Sequence, residues 1–481
     1  MSTSSSKPKL TIEKIETFAS TCHALFQRVQ HKPWAMLLDT ANNRLSDGRY
    51  DIIVYDPLAT YSYKAINNKG DATFEVFNSA FSLSTPSGDC PFSSLAELHN
   101  EFTSQINLAR TATNAPQLPY KLGAMGLFSY DINTVTDNIK DALPSQYTLP
   151  DIAVGFYNQS LIVDNQTGIV YHCSACHSEQ EKKAWLLPFL SDERTLSQST
   201  PAFKLNSPWQ SNMSKTEYDA GMQKIDAYLR AGDCYQVNYA QRFSATYTGC
   251  EWAAYKALSE TNKAPFSAFI RLENAAILSL SPERFLQLKN RKVQTKPIKG
   301  TRKRADDPVK DKAMAEELFN SEKDRAENLM IVDLLRNDLS KHCQAFSVQV
   351  PALFSVESYS AVHHLVSTVE GELKQDASPF DLLKGAFPGG SITGAPKVRA
   401  MQIIQELEPD KRSIYCGSIG YVGIDGDMDT SICIRTVLAE KGELFCWAGG
   451  GIVLDSTASN EYQETHDKVA RILPILSNYG E

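Results

Sequence analysis

The sequence has no uninterrupted apolar run of the roughly 18 residues that a membrane-spanning helix requires. Its first residues, Met1–Lys9, also lack the apolar stretch of a signal peptide, so we expect a cytoplasmic protein without a membrane anchor. Neither sign of charge dominates, since the net charge is -8 and the pI is about 5.7. A nucleic-acid partner usually requires a basic face, so this balance argues against one for the chain as a whole.

Cysteine is sparse and scattered, with ten residues in a chain of 481 and no spacing typical of a disulfide framework. We therefore expect reduced thiols. The short segment His172–His177 resembles half of a zinc site. No second Cys pair or His pair follows at the spacing that a structural zinc site needs. The sequence therefore predicts strand residues here and no zinc.

The hydrophobic content of 42% and the charged content of 22% are typical of globular chains. We divide the chain into a β-rich N-terminal region, 1–190, and a second region, 207–478. The polar stretch 191–201, which ends in proline, reads as a linker between them. The spacing of apolar residues predicts a helix over 11–30. Further predicted elements are a hairpin around 164–168 and helices near 92–109 and 179–190.

Helix signals are clearest in the second region. Ser214 and Glu217 form a capping-box signature, and the helix that they open should end at Gly232. Two more helices are expected to begin near Ser321 and Ser459, and both carry glutamates beside apolar residues.

Lys299 stands between Pro297 and Gly300 in a stretch that also contains several basic residues. Proline fixes its own φ and glycine permits a tight turn, so this lysine has a stiff backbone support. An amine is nucleophilic only when neutral, which requires burial or nearby positive charge to lower its pKa from about 10.4. The residues leave two interpretations open: a catalytic lysine, or an ordinary solvated basic loop.

Four glutamates lie on predicted elements beside apolar neighbours: Glu283, Glu327, Glu461 and Glu464. A buried carboxylate is costly unless it is paired or binds a metal, and Mg2+ prefers such oxygen ligands. Glu461 and Glu464 also share a helical stripe with Lys468, which is the spacing of a surface salt-bridge row. From the residues alone the salt-bridge row is favoured over a metal site.

Two glycine-rich segments, Pro388–Lys397 and Trp447–Val453, predict close approach of the backbone to an anionic ligand. Arg435 alternates with apolar residues, so we expect its side chain to point inward toward an anionic partner. His364 taken alone is more often structural than catalytic. Together these features suit a small dianionic substrate. The central residues of the two glycine segments are Thr393, Gly394, Gly450 and Gly451.

Eight segments, taken in order, resemble the motifs of the chorismate-utilising enzymes. The resemblance is dense over 210–475 and thinner over 34–55 and 123–130. It implies an α/β (α+β) fold of the anthranilate-synthase-component-I type, with two stacked antiparallel β-sheets and helices packed outside. It also implies chorismate as substrate and Mg2+ at the ring carboxylate. The segments are Ser281–Phe285, Pro297–Arg302, Asp324–Met330, His364–Ser367, Pro388–Lys397, Ile434–Thr436, Ala448–Val453 and Glu461–Thr465.

Two positions decide which reaction the resemblance implies. Anthranilate synthases resemble this chain but have alanine where Lys299 stands, and isochorismate and salicylate synthases have a lysine base where Gln236 stands. The pair Gln236 and Lys299 resembles the members that place ammonia at C4 of chorismate, on the route to p-aminobenzoate and folate. Three alternatives stay open: anthranilate synthase component I, a non-catalytic tryptophan-binding regulator, and a basic nucleic-acid module at 289–304.

The resemblance also implies a role for each matched residue. Lys299 would attack C2 of chorismate as an amine, and Glu283 would protonate the leaving 4-hydroxyl. Glu327, Glu461 and Glu464 would bind Mg2+. The residues implied to bind or surround the substrate are Gln236, Thr301, His364, Thr393, Gly394, Tyr415, Arg435, Gly450, Gly451 and Lys468.

The sequence contains no class I glutaminase signature. We therefore expect ammonia from a separate glutamine amidotransferase subunit or from solution. The stretch Leu37–Thr40 stands where anthranilate synthases bind tryptophan, but Asp39 departs from their pattern, as does the residue after it. The residues that either line an indole-sized effector pocket or belong to the core are Thr40, Tyr235, Pro265 and Phe266.

Overall fold

The computed structural model describes residues 7–17, 19, 21–41, 48–66, 69–78, 80–88, 90–108, 116–137, 139–140, 143–190, 201–358 and 362–479. The predicted linker lies outside these residues except at Pro201. Within them, no helix combines the length and the apolar character needed to cross a membrane.

Strands occur along the whole described chain. In order they are β1 (Thr11–Ile15), β2 (Met36–Asp39), β3 (Tyr50–Val54), β4 (Ala59–Ile66), β5 (Lys69–Val76), β6 (Gly123–Phe128), β7 (Ile152–Tyr157), β8 (Gln159–Asp164), β9 (Ile169–Ser174), β10 (Lys204–Leu205), β11 (Gln210–Ser211), β12 (Gln236–Thr248), β13 (Phe266–Arg271), β14 (Ala275–Ser281), β15 (Arg284–Lys289), β16 (Lys292–Thr295), β17 (Ile298–Lys303), β18 (Gln349–Ser358), β19 (Val362–Glu372), β20 (Gly394–Ala395), β21 (Ser418–Gly423), β22 (Met428–Ile432), β23 (Thr436–Glu440) and β24 (Glu443–Ile452).

Helices connect and cover these strands. In order they are α1 (Cys22–Phe26), α2 (Pro91–Ser104), α3 (Asn133–Thr136), α4 (Glu179–Leu190), α5 (Lys215–Ala231), α6 (Glu251–Asn262), α7 (Pro308–Asn320), α8 (Glu322–Ser340), α9 (Pro379–Ala386), α10 (Lys397–Leu407), α11 (Ala458–Val469) and α12 (Leu473–Ser477).

The strands form two large antiparallel sheets. Among the described residues one sheet has 13 strands, in the order β1-β9-β8-β3-β2-β13-β14-β23-β24-β12-β10, and β11 and β20 also pair with β12. The other has 11 strands, in the order β17-β19-β16-β15-β22-β21-β6-β7-β4-β5, and β18 pairs with β19. Strands from before residue 190 and from after residue 204 therefore share both sheets.

Successive side chains along the central strands alternate between the two faces of the sheet, and this explains how the layers pack. Met36 and Ile52 belong to a core shared with the 11-stranded sheet, whereas the next residues, Leu37 and Ile53, belong to a core shared with α1, α4 and α6. Successive side chains of a strand point to opposite faces, so one strand serves both layers. The 13-stranded sheet is thus covered by the second sheet on one side and by helices on the other.

Several predicted elements are confirmed, and one prediction is wrong. The capping box of α5 is present, and Gly232 ends that helix with a φ of 78°. The hairpin around 164–168 joins β8 and β9. Residues 11–30 are not one helix: Thr11–Ile15 is a strand that pairs with β9, and only Cys22–Phe26 is an α-helix. The free edge of β9 offers a ladder to the β-branched residues of β1, and this long-range pairing outweighs helical spacing.

Candidate active site

A cavity of about 640 Å³ is lined by both sheets, by α8 and α11, and by the turn that holds Ser391. Residues that lie far apart in the sequence meet here, as the order of the strands requires. The predicted site residues that line it are Glu283, Lys299, Thr301, Glu327, His364, Tyr415, Arg435, Gly451, Glu461, Glu464 and Lys468.

Lys299 lies on β17, at one edge of the 11-stranded sheet. The ladder with β19 slips between Lys299 and Thr301, where Gly300 adopts a φ of 77°. Glycine tolerates this left-handed backbone, and a Cβ here would lie 2.8 Å from the carboxyl carbon of Asp324. The solvated-loop interpretation is therefore wrong, because the lysine stands on a bulged strand that lines the cavity.

Ser391 connects this lysine to the predicted general acid. The Nζ of Lys299 donates a hydrogen bond to the backbone carbonyl of Ser391 at 3.3 Å. The hydroxyl of Ser391 donates to Oε1 of Glu283 at 3.0 Å. One residue therefore contacts both Lys299 and Glu283.

Burial shifts both groups toward their neutral forms. It lowers the pKa of Lys299 below its ordinary value, although Glu327 and Glu283 act in the opposite direction. It raises the pKa of Glu283, against the effects of Lys299 and of the hydrogen bond from Ser391. The site therefore favours an amine with a free electron pair beside a carboxyl group with a proton to donate.

Three carboxylates, Glu327 on α8 and Glu461 and Glu464 on α11, face the same cavity. Burial raises the pKa of Glu327; Lys299 and Lys323 lower it, and Glu461 raises it further. Burial also raises the pKa of Glu461, and Glu464 adds to this shift. Negative groups that repel one another in this way are stabilised by a bound cation.

The geometry of this trio suits a hard cation that also binds substrate. Among the described residues, the one group of three potential ligands within 4.8 Å of one another lies elsewhere, so the trio is not a closed cage. Mg2+ commonly binds one or two carboxylates and completes its shell with water and substrate oxygens. Gly450 leaves space beside two of these carboxylates, since an added Cβ there would lie 2.9 Å from Oε2 of Glu461 and 3.4 Å from Oε1 of Glu464.

Positive charge lies beside the carboxylates. The Nζ of Lys468 pairs with Oε1 of Glu464 at 2.6 Å and donates to the carbonyl of Gly449 at 2.7 Å. The helical ion pair expected from spacing is therefore present, and it lines the cavity. Burial lowers the pKa of Arg435, and Arg471 adds to this shift. A guanidinium placed in such a cavity favours an anionic ligand.

The remaining wall is neutral. Thr301 Oγ1 and His364 Nδ1 lie 2.9 Å apart. Burial, with Arg435 adding, lowers the pKa of His364 to about 4, so its imidazole is uncharged at neutral pH. Tyr415 is buried and stacks on Trp447, with ring centroids 6.2 Å apart and planes 4° from parallel. These groups can surround a ring without adding charge.

Gln236 lies just behind this wall. Its side-chain nitrogen and oxygen are buried and have no hydrogen-bond partner among the described residues. A Cβ on Gly451 would lie 2.8 Å from Nε2 of Gln236. Gly394 belongs to β20, which pairs with β12, and the carbonyl of Thr393 accepts from the N–H of Asn238 at 2.8 Å. The structure thus places Thr393 and Gly394 behind the lining residues.

A second cavity, of about 370 Å³, contains three of the four residues predicted for an effector pocket: Thr40, Pro265 and Phe266. The fourth, Tyr235, lies elsewhere and is 67% exposed. Asp39 is held by hydrogen bonds within the fold, including one from the hydroxyl of Tyr255 at 2.9 Å. The position that departs from the tryptophan-binding pattern therefore serves an internal network.

Ser391 and Lys323 are among the residues of the main cavity that sequence reasoning did not predict. Ser391 lies inside a segment that the resemblance already covers, but its double contact depends on the short turn Gly390–Ile392. The Nζ of Lys323 lies 3.9 Å from Oε1 of Glu327, and this i,i+4 spacing is a signal that the sequence offers.

The chain belongs to the family described as chorismate binding enzyme, which it matches over residues 62–474. It is 48% identical to aminodeoxychorismate synthase component 1 of Salmonella typhimurium, over 94% of this chain and 95% of that protein. It is 36% identical to anthranilate synthase component 1 of Aquifex aeolicus, over 74% of each chain.

The fold is similar to a solved relative. The crystal structure of anthranilate synthase component I from Streptococcus pneumoniae matches with a TM-score of 0.74 and 29% identity, over 89% of this chain and 92% of that one. The predicted family and the predicted fold of two antiparallel sheets with outer helices are confirmed.

Proposed function

We propose that this chain catalyses the reaction of aminodeoxychorismate synthase component I, in which an amino group from ammonia replaces the 4-hydroxyl of chorismate. The 48% identical relative from Salmonella typhimurium carries this activity in its name. The observation that carries the proposal is the position of Lys299, inside the cavity and linked to Glu283 through Ser391.

The first displacement uses these two groups. The neutral amine of Lys299 forms a bond to C2 of the ring, the ring double bonds shift, and the bond between C4 and its oxygen breaks. Glu283 gives its proton to the departing oxygen, which leaves as water. The new ammonium on Lys299 returns one proton to Glu283, so the acid is ready for the second step.

The second displacement reverses the first. Ammonia forms a bond to C4, the double bonds shift back, and the bond between C2 and Lys299 breaks. Glu283 returns a proton to the departing lysine nitrogen, and the new ammonium at C4 gives one proton to Glu283, which restores the acid. The sum is chorismate plus ammonia to 4-amino-4-deoxychorismate plus water, with retention at C4 when ammonia enters from the face that the 4-hydroxyl left.

Water must not replace ammonia or the lysine as nucleophile. The side chain of Gln236 is an amide, which does not accept a proton from water at neutral pH. A buried amide at this position supports amination over hydration, since a hydrating enzyme needs a base to activate water.

We propose Mg2+ as the cofactor, held by Glu327, Glu461 and Glu464. Their mutual repulsion and their oxygen-only donor set fit this ion. When bound, Mg2+ supplies positive charge that neutralises the ring carboxylate of the substrate. The chain itself orients two of the ligands: Ser456 donates to Glu461 at 2.7 Å, and Lys468 pairs with Glu464.

The substrate's charged groups match the polar end of the cavity. Arg435 and Lys468 provide positive charge for carboxylates, and the backbone at Gly450 and Gly451 allows close approach. The ring then lies against the neutral surface, which consists of Thr301, His364 and Tyr415. Thr393 and Gly394 support the segment that carries Ser391.

We propose that ammonia comes from a separate glutamine amidotransferase subunit. The name "component 1" of the relatives implies a second component. We also place the protein in the cytoplasm, because all ten cysteines lie in the described part of the chain and each is a free thiol.

We propose the second cavity as an effector site, with tryptophan as the ligand to test. Pro265 and Phe266 supply apolar surface, and Thr40 lines the same cavity while its hydroxyl donates to Asp51 at 2.7 Å. Residues of both 1–190 and 207–478 line this second cavity, so we assign the effector site to both regions. The residues that line the main cavity all lie in 207–478, so we assign the chemistry to that region. Tryptophan should raise the melting temperature of the wild type, and the shift should shrink when Phe266 is replaced by alanine.

Identification of the product tests the proposed function. We incubate the protein with chorismate, Mg2+ and an ammonium salt, and expect a non-aromatic amino product that a lyase converts to p-aminobenzoate. Fluorescent anthranilate would instead assign the protein as anthranilate synthase component I. Tryptophan binding without any turnover of chorismate would assign it as a regulatory protein.

A further inference from the structure

We propose that Ser391 is a positioning residue that couples the general acid Glu283 to the nucleophile Lys299. This inference deepens the proposed function and rests on it for the roles of the two partners. The hydroxyl of Ser391 donates to Oε1 of Glu283 at 3.0 Å, and its carbonyl accepts from Nζ of Lys299 at 3.3 Å. Side chain and main chain of a single buried residue thus hold the two groups in one arrangement.

The turn that carries Ser391 is itself firmly held. Arg412 donates to the carbonyl of Ile392 at 3.1 Å and to the carbonyl of Asn238 at 2.8 Å, which ties the turn to β12. Glu408 completes a buried ion pair with Arg412 at 2.7 Å. Ser391 therefore cannot shift without disturbing a buried charge, and its two contacts are stable features of the site.

The hydroxyl of Ser391 acts on the protonation of Glu283. A donor at Oε1 stabilises the ionised carboxylate and directs the proton of the neutral acid to the other oxygen. The charged groups that face Glu283 are Lys299 on β17, Lys468 on α11 and Arg435 after β22. Lys299 changes its charge during each displacement, whereas the Ser391 donor stays constant.

The carbonyl of Ser391 acts on the direction of the amine. It accepts one N–H of Lys299, and this fixes one substituent of the nitrogen. The electron pair of a neutral amine is then restricted in direction, which is the condition for attack on a fixed carbon. The two contacts have different chemical consequences and are therefore separable by substitution, because replacing the side chain removes only the hydroxyl.

Titration of Glu283 tests the side-chain contact directly. Difference infrared spectra against pH follow the protonated carboxyl band, and the band of Glu283 is the one that disappears in Glu283→Gln. In Ser391→Ala we expect the midpoint to rise by about one to two pH units, because a donor to the ionised form is lost. Ser391→Thr keeps a hydroxyl and should restore the wild-type midpoint.

Two further variants complete the experiment. Ser418→Ala removes a buried hydroxyl that donates to the carbonyl of Ser431 at 2.8 Å, so it controls for loss of a buried hydrogen bond elsewhere. Where Ser391→Thr does not fold, Ser391→Cys keeps a weak donor of similar size and should give an intermediate midpoint. A midpoint in Ser391→Ala equal to that of the wild type would overturn the proposal.

Kinetics distinguish this proposal from the proposed function. In Ser391→Ala we expect kcat to fall about 10- to 100-fold, with a small change in KM for chorismate, because the hydroxyl acts on the reacting groups. Wild-type protein that makes no 4-amino-4-deoxychorismate would overturn the function, while the titration of Glu283 would still report on Ser391. A normal kcat in Ser391→Ala would overturn the role of Ser391 alone.

Discussion

Lys299 and Glu283 would both be charged in water. Burial lowers the pKa of Lys299 and raises the pKa of Glu283, and each shift favours the uncharged side chain. At the scale of residues this is the main device of the site. A charged lysine is not a nucleophile and an ionised carboxylate is not an acid, so these shifts favour the proposed chemistry. Ser391 contacts both groups.

Replacing Glu283 by glutamine removes the proton donor but keeps the size of the side chain. Turnover of chorismate with ammonia should fall by about 10²- to 10⁴-fold, the usual contribution of a general acid. Steady-state assays measure this loss. Glu273→Gln, at an exposed glutamate, is the matched control and should retain activity. Equal rates in wild type and Glu283→Gln would contradict the assigned role.

Replacing Glu327 or Glu464 by glutamine removes one charged oxygen ligand from the proposed magnesium site. The Mg2+ concentration for half-maximal activity should rise about 10-fold or more, because ligand changes of this kind weaken metal binding. A Mg2+ titration measures it. Glu322→Gln changes an exposed glutamate in the first turn of α8 and should leave the titration unchanged. An unaltered curve for both cavity variants would rule out these ligands.

At this scale the motifs led to most of the site. Lys299, Glu283 and Arg435 were predicted from their sequence contexts, and they line one cavity. Ser391 escaped prediction because its importance lies in where a short turn aims one carbonyl and one hydroxyl. Tyr235 does not line the second cavity, because its neighbours on β12 are buried while it points outward, 67% exposed.

Among elements, β17 carries Lys299, the proposed nucleophile. Its bulge at Gly300 separates Lys299 from Thr301, and both residues line the cavity. A side chain at position 300 would have no space, because an added Cβ would lie 2.8 Å from atoms of Asp324 and Leu318. The Pro–Ile–Lys–Gly segment therefore predicted a stiff support correctly, although the strand and its pairing with β19 are long-range features.

Gly300→Ala tests the importance of this bulge. The added Cβ would clash with Asp324 at a φ of 77°, so we expect a large loss of activity and a loss of stability of about 1 kcal/mol or more. Gly426→Ala is the matched control: its φ is 83°, and a Cβ there has nothing within 4 Å. Both variants should unfold at lower denaturant, but only Gly300→Ala should lose activity.

Equal activity of the two glycine variants would show that the bulge does not orient Lys299.

The segment 11–30 shows where prediction from local sequence fails. Its spacing predicts a helix, yet β1 pairs with β9 across more than 150 positions of sequence, from Thr11 to Ser174. A local pattern carries no information about which sheet edge is available.

Across the whole molecule, strands from 1–190 and from 207–478 share both sheets. The family resemblance predicted two stacked sheets, and the composition indicated an ordinary globular chain. The order of the strands follows from pairings distant in sequence, which hydrophobic patterns do not encode. One such connection is Asp131, whose side chain accepts the N–H of Ser413 at 2.8 Å.

Burial, with Asp151 adding, raises the pKa of Asp131 to about 7. The unfolded carboxyl has a pKa of about 3.9, so folding takes up a proton between these values. This contribution to stability is complete below pH of about 4 and is lost as the pH rises through about 7. In Asp131→Asn the stability relative to wild type should rise by about 2–4 kcal/mol between pH 4 and pH 8.

Urea unfolding at several pH values measures this difference. Comparing the two chains at each pH removes the effect of every other titrating group, including Asp51, whose pKa burial raises to about 6. A stability difference that is constant from pH 4 to pH 8 would mean that Asp131 titrates as it does in the unfolded chain. A stability difference that rises with pH would identify Asp131, which accepts the N–H of Ser413, as a pH-sensitive link between 1–190 and 207–478.

The central claim is that Lys299 forms a transient covalent bond with the ring of chorismate. Intact mass spectrometry after incubation with chorismate and Mg2+, without ammonia, tests it most directly, and peptide mapping locates any adduct. We predict a mass increase equal to chorismate less one water, on the peptide that contains Lys299, and its absence in Lys299→Ala. An unmodified protein that still aminates chorismate when ammonia is added, or an adduct on another residue, would contradict the account.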